Sequence, residues 1–184
     1  MVTQPAIGGR LGPQDSAGVT FANTEGQKAT FTYAATIVPT ANGPILQIQG
    51  SAAKTIRITK IRFTGVLTTA APAVVTVQRS TTTITGTLTG VTAGNHSLLN
   101  PSATATVSST PAGTAGTTTG GPLDQREIVL GSATVPAGIY SEDYGFRPSQ
   151  TLQLRGTTDF ITLAISTASY TGASITAVIE TTEE

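Results

Sequence analysis

The chain has 184 residues, only 11% of them charged, and its ten basic and ten acidic residues cancel to a formal net charge of +0. There is no cysteine and only one histidine, which excludes a disulfide framework, thiol catalysis and a cysteine-ligated or multi-histidine metal centre. The balanced charge argues against a chain-wide field for nucleic acid or an anionic membrane. No apolar run is long enough for a transmembrane helix, and Met1–Pro5 has no basic or apolar leader pattern.

Threonine alone accounts for 37 residues. Its branched Cβ, like those of valine and isoleucine, is restricted in a helix but fits a pleated surface. A surface clad in threonine and serine is soluble without strong self-repulsion, which suits close packing against neighbouring copies. The expected class is all-β.

In chain order, residues 1–26 read as an extended N-terminal arm. Glycines 8, 9, 12, 18 and 26 break any period, and Leu11, Val19 and Phe21 stand as isolated apolar points. Such an arm orders on a partner subunit, where those three side chains are buried. Residues 27–184 read as one β-domain. Ala29, Phe31 and Tyr33 alternate with Lys28, Thr30 and Thr32, a period of two. Asn42-Gly43-Pro44 marks a turn, and Ile45, Leu46 and Ile48 form a short strand ending at Gly50. Between Lys54 and Thr69, Ile56 and Ile58 share a face, then Ile61 and Phe63 change parity. A one-residue switch near Thr59-Lys60 predicts a β-bulge. Residues 68–72 read as a loop to a strand from Ala73 to Arg79 with Val75 and Val77 on one face.

Residues 80–95 and 109–121 are threonine- and glycine-rich, and the latter reads as an exposed loop. Leu98-Leu99 and 103–107 read as short strands, as do 123–130, 151–155, 160–165 and 174–179, whereas Tyr144–Pro148 reads as a turn with aromatic anchors. Eight to ten short strands without an amphipathic helix predict a jelly-roll or β-sandwich domain.

No catalytic constellation has adequate spacing. His96 lies in the polar turn Gly94–Ser97 and reads as a solvated loop residue. Glu142 and Asp143 are adjacent, so on a strand they point to opposite faces, and Asp124 with Glu127 is no better as a two-carboxyl site. No phosphate or dinucleotide fingerprint is present, so no catalytic, metal-binding or cofactor residue is assigned and the chain is not expected to be an enzyme. Asn95-His96-Ser97 matches a glycosylation sequon but lacks a secretory context. One charge feature stands out. Lys54, Arg57, Lys60, Arg62 and Arg79 occur with no acid between Glu25 and Asp124. They read either as a charge-protected strand face or as contacts to an acidic surface on another subunit. Without interleaved aromatics they do not suit nucleic acid. Glu180, Glu183 and Glu184 form an acidic end of opposite sign, which suggests contacts between copies.

The segments Tyr144-Gly145-Phe146-Arg147-Pro148-Ser149-Gln150, Leu152-Gln153-Leu154-Arg155-Gly156-Thr157, Lys54–Ile61, Val77-Gln78-Arg79-Ser80 and the ending Glu180–Glu184 resemble a family of small tailed-bacteriophage virion structural proteins over roughly residues 50–184. The resemblance implies a jelly-roll decoration or cement protein on the capsid exterior, assembled in the host cytoplasm. Its expected partners are the major capsid protein and further copies of itself as a dimer or trimer, with no nucleic acid, membrane or cofactor. The alternative is a head-fibre, tail-fibre or collar component whose β-domain binds a host glycan, with Tyr140, Tyr144 and Phe146 as its only aromatic cluster.

Overall fold

The computed structural model describes residues 28–145 and 152–184; the arm residues Leu11, Val19 and Phe21, and Phe146, lie outside these. In chain order the strands are β1 (Ala29–Ile37), β2 (Gly43–Gln49), β3 (Ile56–Val66), β4 (Ala71–Ser80), β5 (Thr89–Gly90), β6 (Ala93–Asn95), β7 (Thr106–Ser109), β8 (Asp124–Leu130), β9 (Ile139–Asp143), β10 (Leu152–Leu154), β11 (Phe160–Thr167) and β12 (Ser174–Glu183). One sheet runs β10-β3-β12-β1-β6, with β9 on the same edge of β3 as β10; the other runs β5-β7-β2-β11-β4-β8. Every ladder is antiparallel, and the domain is an all-β sandwich.

Alternation builds the core. Phe31 and Tyr33 of β1, Ile58, Ile61 and Phe63 of β3, and Ile175, Ala177 and Ile179 of β12 line the inner face of the first sheet. Leu46 and Ile48 of β2, Val75 and Val77 of β4, and Ile161, Leu163 and Ile165 of β11 meet them from the second. The bulge falls where the parity switch places it. Glu180 pairs with Lys60 but Thr181 with Ile58, so Thr59 is the extra residue. Its carbonyl accepts from the Tyr144 amide at 2.8 Å, which fixes the turn after β9.

Among the described residues two buried threonine hydroxyls, those of Thr110 and Thr181, lack a hydrogen-bond partner. Burying an unpaired hydroxyl is unfavourable, so Thr181→Val is expected to raise unfolding stability by about 1 kcal/mol. A urea titration that shows no gain removes this account.

The 109–121 segment is a largely exposed loop, as expected, but it is also paired to the other threonine-rich segment. Residues 80–86 and 110–118 pair with each other, through bridges between Ser80 and Thr118 and between Thr85 and Thr114. Together they cover the outer face of the second sheet as a partial third layer. Gln47, on the outer side of β2, is their anchor. Its Oε1 accepts from Thr83 Oγ1 at 2.9 Å and from the Ile84 amide at 3.2 Å, and Ile84 is fully buried. Gly43, at the predicted turn, has φ of +139°, and a Cβ there would stand 2.5 Å from the Gly113 carbonyl oxygen. Glycine therefore serves both the backbone conformation and the close approach of this layer.

Other differences are local. β5 and β6 are too short for their periodicity to be read, and β12 continues past Ile179 to Glu183. Leu98 and Leu99 form no strand. They sit fully exposed on a turn held by Asn95 Oδ1, which accepts from the Ser97 amide and from Asn100 Nδ2.

Candidate interaction site: a cationic end of the sandwich

Because the bulge restores parity after Thr59, Arg57, Lys60 and Arg62 all point outward from β3 while Ile58, Ile61 and Phe63 point inward. Lys54 lies just ahead of this strand. Across β3, Gln153 of β10 pairs with Arg57, which brings the Arg155 region alongside. A shallow open depression of about 270 Å³ lies here, lined by Ser51 to Thr55, Arg155, Gly156 and Glu184.

The acidic end expected to reach another copy is instead engaged within the chain. Glu184 accepts from Lys28 Nζ at 2.7 Å and from Arg57 Nε, and Arg62 stands 3.8 Å from Glu180. The two cations hold the Glu184 carboxyl below its ordinary value, through hydrogen bonds from Arg57 and then Lys28. The sign follows from that direction. A carboxyl lowered in the folded state contributes stability above its unfolded value, lost as pH falls through the folded one. At this partly exposed position screening keeps the contribution small.

Glu183 points the other way, into the protein, and is 2% exposed. Its carboxylate accepts from the Thr104 amide (2.9 Å), the Ala105 amide (3.0 Å) and Thr104 Oγ1 (2.8 Å). It thereby ties the end of β12 to the segment that leads into β7. The Tyr33 hydroxyl donates to the Ala105 carbonyl beside it. Burial, with the Glu183 charge second, pushes the Tyr33 phenol above its ordinary range.

Arg79 separates from the other four cations. It shares parity with Val75 and Val77, so it turns inward at the rim. There its Nη1 donates to both Asp159 carboxylate oxygens (2.7 and 2.8 Å) and its Nη2 to the Gln153 carbonyl at 2.8 Å. It joins β4 of one sheet to β10 of the other, a structural clamp that charge counting along the sequence did not distinguish from a surface cation.

Among the described residues, Lys54, Lys60 and Arg155 form no ion pair. The Arg155 guanidinium donates to Gln153 Oε1 at 3.1 Å, and its backbone amide to Asp159 Oδ2 at 3.2 Å. Sequence reasoning missed Arg155, because the fold rather than chain proximity places it near Lys54.

A second charged cluster occupies the side where β8 and β9 meet. Tyr140 Oη donates to Asp124 Oδ2 at 2.7 Å, and Arg126 bridges Asp124 and Glu142 while lying over the Tyr140 ring. Burial pushes the Tyr140 phenol far above its ordinary value, with its hydrogen bonds to Tyr144 and Asp124 adding to the effect. Its ring is 1% exposed, so it offers no platform for stacking a sugar. Asp143 faces outward on β9 and Glu142 toward the gap between the sheets, the opposition expected of adjacent strand residues. His96 stays on the surface, 2.5 Å from Thr32 Oγ1. No group of three or more potential metal ligands occurs among the described residues, and no helix there is long and apolar enough to cross a membrane.

Comparison with family models, with curated proteins and with solved structures gave no match.

Proposed function

We propose that this chain is a structural component of a tailed-bacteriophage virion, a decoration or cement protein that binds the outside of the head and stabilises contacts between major capsid subunits. The observation that carries this reading is the division of its polar side chains. Gln47, Arg79 and Glu183 are spent on locking strands and layers together. The cations left over, Lys54, Lys60 and Arg155, stand on the outside of a rigid scaffold. Side chains arranged this way suit docking rather than turnover. The exposed Leu98–Leu99 tip adds apolar surface of the kind that marks contact sites. The sequence resemblance supplies the virion context, and repeated attachment over a capsid lattice amplifies weak single contacts. Residues 1–26 act in this reading as the gripping arm, with Leu11, Val19 and Phe21 as its apolar points.

Two measurements test it. Quantitative mass spectrometry of purified virions is expected to find copies in numbers comparable with the capsid lattice. A handful of copies would favour the tail, collar or fibre, and absence would defeat the reading. Deleting residues 1–25 is expected to leave a folded β-domain, by circular dichroism, with capsid affinity at least about tenfold weaker, since burial of three apolar side chains contributes a few kcal/mol less the cost of ordering. Undiminished co-sedimentation with capsids would remove the arm's role.

A further inference from the structure

Leu98 and Leu99 are the most exposed large apolar side chains among the described residues. Single exposed leucines are ordinary, but an adjacent pair at full exposure marks a contact. Their turn is held in shape. The Leu99 amide donates to Ser97 Oγ at 3.3 Å and the Asn100 amide to the Ser97 carbonyl at 3.0 Å. The His96 amide and Asn100 Nδ2 both donate to the Thr30 carbonyl, which ties the turn to the start of β1. At the other end of β1 the surface is concave. Val38, Pro39, Ala168, Tyr170 and Ala173 border an open depression of about 470 Å³ that no charged residue lines. Its walls are also fixed. The Tyr170 hydroxyl donates to Asn42 Oδ1 at 2.6 Å, and the Thr68 amide donates to the Thr171 carbonyl at 2.9 Å. The nine residues of β1 span about 30 Å at the rise of an antiparallel strand, so the leucine tip does not reach the depression of its own chain.

We propose that the Leu98–Leu99 tip of one copy seats in the Val38–Tyr170 depression of a second copy. Both halves are uncharged and already held in shape, so the contact removes apolar surface from water at a small cost in ordering. A chain of zero net charge adds no long-range repulsion. Each copy carries a tip and a depression at opposite ends of β1. The contact therefore repeats head to tail, and it closes into a ring when the rotation between copies allows. This inference goes beyond the virion reading, which counts the tip only as contact surface and does not name its partner.

The test is sedimentation velocity of the full chain without capsids, over a concentration series at low and high salt. The wild-type chain is expected to self-associate as its concentration rises. Sodium chloride should leave that association undiminished and sulfate should strengthen it. Leu98→Glu with Leu99→Glu is expected to stay monomeric, as is Val38→Glu with Ala168→Glu. All four positions are exposed, so circular dichroism should show the wild-type strand content. Mixed in equal amounts, the two double variants are expected to form a heterodimer and stop there, because one keeps an intact tip and the other an intact depression. A wild-type chain that is monomeric at every concentration overturns the proposal. So does association lost as salt rises, which would point to the Lys54–Arg155 end instead, and so does a mixture that stays monomeric. The chain has no cysteine, which gives a second reading should a glutamate variant fail to fold. Oxidation of Leu98→Cys mixed with Ala168→Cys is expected to yield a heterodisulfide in excess of that formed with Thr176→Cys, on the outer face of β12, and equal yields overturn the contact. Capsid co-sedimentation is read separately, so a chain that fails to self-associate leaves the virion reading standing, and a chain that fails to bind capsids leaves this contact standing.

Discussion

Replacing Glu183 with alanine is expected to destabilise the domain by about 3–5 kcal/mol, although its neighbour Glu184 tolerates the loss of its charge at a cost below about 1 kcal/mol. The two glutamates are adjacent in sequence, but strand alternation sends one inward and the other outward. Glu183 is 2% exposed and satisfies two backbone amides and a hydroxyl in the segment leading to β7. Truncation strands those donors away from water, and each unsatisfied donor costs about 1–3 kcal/mol. At roughly 2–4 °C per kcal/mol for a chain of this size, the melting temperature should fall by about 10 °C. Glu183→Gln should cost less, because it keeps one acceptor and the Thr104 hydroxyl can turn to accept from the new amide. Hydrogen exchange should accelerate first at Thr104 and Ala105. Equal stability of the Glu183→Ala and Glu184→Gln variants would show that the buried carboxylate does not organise this end of the sandwich.

The second large effect is expected at Gln47. Alanine there removes the acceptor for the Ile84 amide and for Thr83 Oγ1, a loss of about 2–3 kcal/mol when the stranded amide stays buried. The consequence should be uneven. The core between the sheets does not depend on Gln47, whereas the layer formed by 80–86 and 110–118 does. Limited proteolysis is therefore expected to cut within those two segments in the variant before the sandwich unfolds, and to spare them in the wild-type chain. Cleavage at equal rates would mean that bridges such as that between Thr85 and Thr114 hold the layer without this side chain.

Most individual strands were legible because a pleated strand has a period of two and one buried face. Phe31 and Tyr33, Val75 and Val77, and Ile161, Leu163 and Ile165 each announce an inner face, and the parity switch after Ile58 located the bulge at Thr59. The pairing of strands was not legible. Among the described residues no two consecutive strands pair: β1 joins β12 and β6, β2 joins β11 and β7, and β3 joins β12, β9 and β10. A hairpin turn leaves a local signature, but a strand that crosses to the opposite sheet leaves none, because its register is set by partners distant in the chain. Such non-local pairing also predicts slow folding relative to hairpin-rich domains of similar size.

The cationic run shows the same division within the candidate site. Sequence alone determined an all-β chain with little charge, a bulged strand carrying Arg57, Lys60 and Arg62 on one face, and basic residues set apart from acids. Those are consequences of side-chain type and alternation, which are local properties. Only the tertiary structure decided which charges are neutralised. It turned Arg79 inward to clamp the sheets, buried Glu183, set Glu184 against Lys28 and Arg57, and brought Arg155 beside Lys54. Ion pairing depends on distances of a few ångströms between side chains a hundred residues apart, and packing of the whole sandwich fixes those distances.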